Sequence, residues 1–203
     1  MENDCNQMIK AILSFKSAVK GIDDKASNKL AYLLGEYYAL QQILQRYPTA
    51  IHRGGQGHFD IEIKNPAIKI EVKTSTYKED KRVYPGIWLW GWTVETSKQQ
   101  TRRKKTGEKR FDYLITVSLD ETWENPRFQI FSWKEAIDEN PDIEIKGLSN
   151  IKKRIHLFQN SEDFQKARNI ARQFPEKYRE PSKLEEDIIE NPKKFENNWN
   201  RIS

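Results

Sequence analysis

The stretch FDIEIKNPAIKIEVKTS, Phe59 to Ser75, alternates with a period of two on both sides of Asn65-Pro66. Phe59, Ile61 and Ile63 interleave with Asp60, Glu62 and Lys64, and Ile68, Ile70 and Val72 with Lys69, Glu71 and Lys73. Period two is the spacing of a strand with one buried face, so the segment predicts a hairpin over 59–75. The apolar face must point to the core, because a one-residue slip would expose it. Residues 60, 62 and 64 therefore share a face with 69, 71 and 73. A two-residue turn at Asn65-Pro66 sets Asp60 opposite Glu71. Proline resists the positive φ of the tight primed turns, which favours Pro66 at the second turn position and sets Asp60 opposite Lys73, with Glu71 diagonal. Both registers bring Asp60, Glu71 and Lys73 within side-chain reach. Two carboxylates about 4 Å apart repel by roughly 1 kcal/mol in water and about 4 kcal/mol at an effective dielectric near 20. A solvated face tolerates that, with Lys64 and Lys69 as counterions. A concave site needs a cation, and magnesium suits one or two carboxylates that leave room for waters and a phosphate.

The rest of the chain sets this hairpin in a mixed α/β (α+β) arrangement. Helices are expected over 6–20 and from Asp24 or Ser27 to Tyr47, stopped by Pro48. HRGGQGH reads as a glycine loop, IWLWGWTV as a strand with Trp88, Trp90 and Trp92 on one face, and FDYLITVSLD as a buried strand. RFQIFSW predicts another strand, and Ser132 with Glu135 a helix-capping pair. Helices over 161–175 and 182–203 form a C-terminal extension (161–203) to a core of about 26–135, and the last is too charged for the core. At 203 residues one domain is expected. No apolar run approaches the roughly 18 residues of a membrane span, and the N-terminus MENDCNQMIK lacks signal-peptide features. Cys5 is the only cysteine, which excludes an intramolecular disulfide and points to a cytoplasmic setting. The net charge is +5, but Lys98–Arg110 concentrates seven cations against one anion. That run is either a polyanion-binding segment or a solvated loop.

Asp60, ten intervening residues and Glu71-Val72-Lys73 resemble the PD-(D/E)xK motif of the restriction-endonuclease-like nuclease superfamily, with Phe59 where that family often has proline. LLGEYYALQQIL resembles the helix preceding the motif. There Glu36 falls inside the apolar stripe of Leu33, Tyr37, Leu40, Ile43, Leu44 and Tyr47, where a carboxylate needs a partner. The order helix, glycine-rich turn, D-bearing strand, ExK strand resembles the family's αβββαβ opening. FDYLITVSL resembles the later core strand that follows a connecting helix.

The resemblance implies a restriction-endonuclease-like core and a magnesium-dependent endodeoxyribonuclease, with manganese able to substitute. Asp60, Glu71, the Val72 carbonyl and Glu36 would serve the metal, and Lys73 the attacking water. Cleavage would leave a 5′-phosphate and a 3′-hydroxyl. The leading expectation is a type II restriction enzyme, homodimeric on double-stranded DNA. Alternatives are a repair, recombination or mobile-element nuclease, or an inert nucleic-acid-binding module. Gln99, Gln100, Arg102 and Arg103 would touch base edges or phosphates, Lys104 and Lys105 phosphates, and Ser75 and Lys78 the backbone. His52 and His58, in a glycine loop without a nearby cysteine, do not make a zinc site. The structural alternative for Glu36, Asp60, Glu71 and Lys73 is a salt-bridged polar face.

Overall fold

The alternation at 59–75 becomes a hairpin of β2 (Ile61–Ile63) and β3 (Ile68–Thr76), paired Ile61↔Ile70, Glu62↔Lys69 and Ile63↔Ile68. This register rules out the preferred Asp60–Lys73 pairing, and the Asp60 amide instead bonds to the Ile70 carbonyl. The Asn65–Pro66 bond is cis, and none of residues 64–67 has a positive φ. The computed structural model describes residues 2–19, 24–54, 59–96, 109–143 and 151–203.

Where one domain is expected from length, the chain divides into two compact units interleaved in sequence. The first comprises Met1–Thr76, Arg110–Ile130 and Asn197–Ser203, the second Tyr77–Lys109 and Phe131–Glu196. In the first unit, α1 (Glu2–Ala18) and α2 (Asp24–Leu44) accompany a five-stranded mixed sheet in the order β1-β2-β3-β6-β7. Here β1 is Ile51–His52, β6 Tyr113–Leu119 and β7 Arg127–Ser132, whose first four residues belong to this unit. The sheet is antiparallel across β1, β2 and β3, and parallel between β3 and β6. Ile61, Ile63, Ile70, Val72, Ile115 and Val117 form one core with Leu34, Tyr38 and Ile43 of α2 and with Ile9 and Ile12 of α1. A Cβ on Gly35 would fall 1.9 Å from Thr74 Oγ1, so only glycine lets α2 approach β3 this closely. Residues 197–203 close this unit: Ile202 is buried, Tyr47 donates to the Ile202 carbonyl at 2.8 Å, and Trp199 meets Phe128 edge-on.

The second unit holds an antiparallel sheet in the order β4-β5-β8, from Lys78–Asp80, Ile87–Thr96 and Ile151–Phe158. Helices α3 (Ser161–Gln173) and α4 (Lys183–Glu190) accompany it, over a core of Val83, Tyr84, Ile87, Leu89, Phe158 and Phe164. Between β3 and β6 the described residues form β4 and β5, and the basic stretch on which the connecting helix was expected lies outside the described residues. The helix expected over 182–203 ends at Glu190, and its segment is not too charged for the core. Ile188, Phe195, Ile202 and even Glu185 are buried. Charge frequency misleads there because the carboxylate at 185 is consumed locally. Ser132 and Glu135 exchange backbone–side-chain bonds at 2.9 and 3.3 Å, but the expected cap is corrected: the π-helical turn at Lys134–Asp138 has Trp133 at its N-cap with no side-chain capping bond. Among the described residues no helix is long and apolar enough to cross a membrane.

Candidate active site

Asp60 is a bend residue one position before β2, and its main chain bonds to both flanking segments. Its amide donates to the Ile70 carbonyl at 2.9 Å, and its carbonyl accepts from the Arg53 amide at 2.7 Å. Its carboxylate turns along the sheet, where Oδ2 accepts from the Val72 amide at 2.7 Å. In an extended strand a residue's N–H and C=O leave by the same edge, so the Val72 carbonyl shares the edge that faces Asp60. Glu71 and Lys73 follow at period two on one face and form an ion pair. Glu36 comes from α2, carried to β3 by the Gly35–Thr74 approach. The partner required by its place in the stripe is His52, whose Nε2 lies 2.5 Å from Glu36 Oε2.

These groups share a field. Burial pushes the Asp60 carboxyl up, and Glu71 and then Glu36 push it further. The Val72 amide and Lys73 pull it down without matching them, so its pKa rises to about 7. For Lys73, burial works against the ammonium, but Glu71 and Asp60 outweigh it and leave its pKa raised. The donor set fits a hard divalent cation, which would compensate the excess negative charge at Asp60 that Lys73 leaves. Among the described residues, no three His, Cys, Asp or Glu side chains stand together as a ready metal cage. A magnesium-type ion does not demand one, since it keeps several waters beside one or two carboxylates.

Of the other predicted residues, Ser75 is buried and donates to the Thr76 carbonyl at 3.3 Å, and Lys78 is exposed at the start of β4. Gln99, Gln100, Arg102, Arg103, Lys104 and Lys105 lie outside the described residues, as do Gly55, Gly57 and His58. Trp90 and Trp92 are buried, while Trp88 is half exposed. His52 is not a loop residue: Ile51–His52 is a strand paired to β2, with His52 opposite Ile61. Its type and place before the D-bearing strand were visible, but the glycines after it obscured a strand two residues long.

A second set was missed. Thr116 lies beside Lys73 and Ser118 beside Ser75 across the parallel β3–β6 pair. Both hydroxyls reach Gln129 Oε1, at 3.0 and 3.5 Å, and all three side chains are buried. This polar strip extends the face of Glu71 and Lys73. Its signal was the alternation of Thr116 and Ser118 with Ile115, Val117 and Leu119. The chain matches no protein-family model, and no curated protein matches it in sequence.

Proposed function

We propose that the chain is a metal-dependent deoxyribonuclease with a restriction-endonuclease-like core, hydrolysing phosphodiester bonds of double-stranded DNA at Asp60, Glu71, Lys73 and Glu36. The observation that carries this reading is the Asp60 carboxylate bonded to the Val72 amide, between Glu71 and Lys73, with its pKa raised to about 7 by burial and by Glu71, which Lys73 does not offset. The succession α2, β1, β2, β3 with β6 parallel to β3 supports it through its likeness to the αβββαβ order.

Asp60, Glu71 and the Val72 carbonyl would hold magnesium or manganese, with Glu36 reaching it through water. When bound, the ion would polarise the phosphate and lower the pKa of a bound water. Lys73 orients that water and offsets charge gathering on the phosphoryl oxygens. His52 fixes the Glu36 carboxylate, as partners behind metal ligands commonly do. A type II restriction enzyme acting as a homodimer is the form this reading takes first, and a repair, recombination or mobile-element nuclease is the alternative.

The test is incubation with supercoiled plasmid, linear duplex, single strand and RNA, in magnesium or in chelator. Cleavage of duplex DNA that requires magnesium and disappears in Asp60→Asn supports the reading. Discrete fragments select the restriction form, nicks or smears the less specific one. No cleavage in any condition, with nucleic-acid binding that Asp60→Ala leaves unchanged, would mark an inert binding module instead.

A further inference from the structure

The second unit holds a cleft of about 630 Å³ to which the carboxylate centre contributes no residue. Strand register builds it. Lys78 pairs with Leu89 and Asp80 with Ile87, while Gly91 faces His156 and Thr93 faces Arg154. By alternation, Lys78 and Asp80 of β4, Leu89 and Thr93 of β5, and Arg154 of β8 bring their side chains to the face on which Gly91 lies. Gly91 leaves the floor open, since a Cβ there would stand 3.0 Å from an Arg154 guanidinium nitrogen and 3.1 Å from the His156 ring.

Four cations, Lys78, Lys81, Arg82 and Arg154, line the cleft against Glu79 and Asp80. Asp80 is already engaged, because its Oδ1 accepts from the Arg82 and Val83 amides at 2.7 Å each. Its Oδ2 lies 3.5 Å from Arg154 and 3.7 Å from His156 Nε2, at ion-pair rather than hydrogen-bond distances. Arg154 Nε, His156 Nε2 and Asp80 Oδ2 are consequently buried polar atoms without hydrogen-bond partners. Such atoms are rare in folded proteins, and a cluster beneath a cleft signals a site that a ligand or water completes. Lys81 and Arg82 are exposed at its rim.

We propose that this cleft binds a phosphate group, with Arg154 across Gly91 as the anchor and Lys78, Lys81 and Arg82 as the rim. A half-buried guanidinium presents a planar fork that suits a phosphate's paired oxygens, and mobile rim cations add attraction without demanding one geometry. The phosphate belongs either to a free phosphomonoester or to the backbone of a nucleic-acid strand, since both present the same oxygens. The site uses none of Asp60, Glu71, Lys73 or Glu36, so it stands or falls separately from the nuclease reading.

The experiment is calorimetric titration of the full chain, in chelator so that nothing is cleaved, with thymidine 5′-monophosphate, thymidine and single-stranded oligothymidylate. The monophosphate is expected to bind and thymidine to fail. Arg82→Ala and Lys81→Ala, both at exposed positions, should each weaken binding by roughly three- to tenfold and flatten its salt dependence. Arg154→Lys should weaken it by about tenfold or more, because the fork is lost while the charge stays. Binding of the strand alone, weakened by the same rim variants, assigns the cleft to backbone phosphodiesters. The proposal is overturned if neither phosphate source binds, or if Arg82→Ala and Lys81→Ala bind both as the unaltered chain does.

Discussion

Asp60 and Asp80 are both largely withdrawn from water, and burial pushes each carboxyl upward, yet the two end on opposite sides of the ordinary range. Around Asp60 the next strongest influence is Glu71, which adds to the burial effect, and the pKa rises to about 7. Around Asp80 the Val83 amide, His156, the Arg82 amide and Arg154 all favour the anion, and together they outweigh burial. Its neighbour Glu185 is fully buried and still held far below the usual carboxylate range. Arg179 at 2.6 Å and His156 Nδ1 at 2.7 Å overcome its burial, and the Ser182 amide donates to its other oxygen at 2.6 Å. Desolvation is common to all three, so the partners decide the sign. The compensated network ties β4, β8 and α4 together. The uncompensated carboxyl retains an electrostatic deficit that a cation can fill, which is how perturbed groups mark functional sites.

The contrast breaks most visibly on the loss of either side's key charge. Asp60→Asn or Glu71→Gln should reduce magnesium-dependent plasmid cleavage by roughly 10³-fold or more, because the cation's seat and the water's activation disappear together. The same Asp60→Asn chain should unfold at or above the parental temperature, since it sheds a repelled charge. A clear fall would mean that Asp60 is a structural ion after all. Glu185→Gln should do the reverse, costing roughly 3–5 kcal/mol of stability in denaturant unfolding by stranding Arg179 among buried groups. A loss under about 1 kcal/mol would show that the network tolerates an unpaired charge.

Gly35→Ala tests how the first site is carried. Its new methyl meets Thr74, so about 1–3 kcal/mol should be lost, and Thr74→Ala in the same chain should restore part of it. A neutral Gly35→Ala would mean that α2 can shift without disturbing β3.

The smallest effect is a pH dependence of opposite sign in the two regions. The folded chain keeps a proton on Asp60 between about pH 4 and 7 that the unfolded chain has released, so this group's contribution to stability falls as pH rises through that window. Asp80 and Glu185 contribute stability that is present above the unfolded carboxylate range and lost as pH falls through their depressed folded values. The melting temperature of Asp60→Asn relative to the parent should therefore be higher at pH 8 than at pH 5. Magnesium should raise the parent's melting temperature more at pH 8 than at pH 5, because the cation competes with the Asp60 proton. Equal differences at both pH values would remove Asp60 from the account.

The faces of the hairpin, the inward carboxylate at Glu36 and the burial of FDYLITVSL were legible because each rests on periodicity, which the chain carries locally. The partner of Glu36 was not. His52 precedes a glycine run, and only the pairing of β1 with β2 turns it toward α2. The Gln129 strip escaped for a similar reason, since Thr116 and Ser118 alternate visibly but their acceptor arrives on another strand.

By itself the sequence determined which residues share a strand face, where glycine and proline interrupt, and that a chain with one cysteine must hold itself together without a disulfide. Tertiary structure decided that Asp60 bonds to Ile70 and Val72 rather than pairing with Lys73, that the chain separates into two units, and that carboxylates as alike as Asp60 and Asp80 shift in opposite directions. The reason is range. Periodicity acts over a few residues, whereas register and electrostatic compensation depend on groups brought together from tens of residues away.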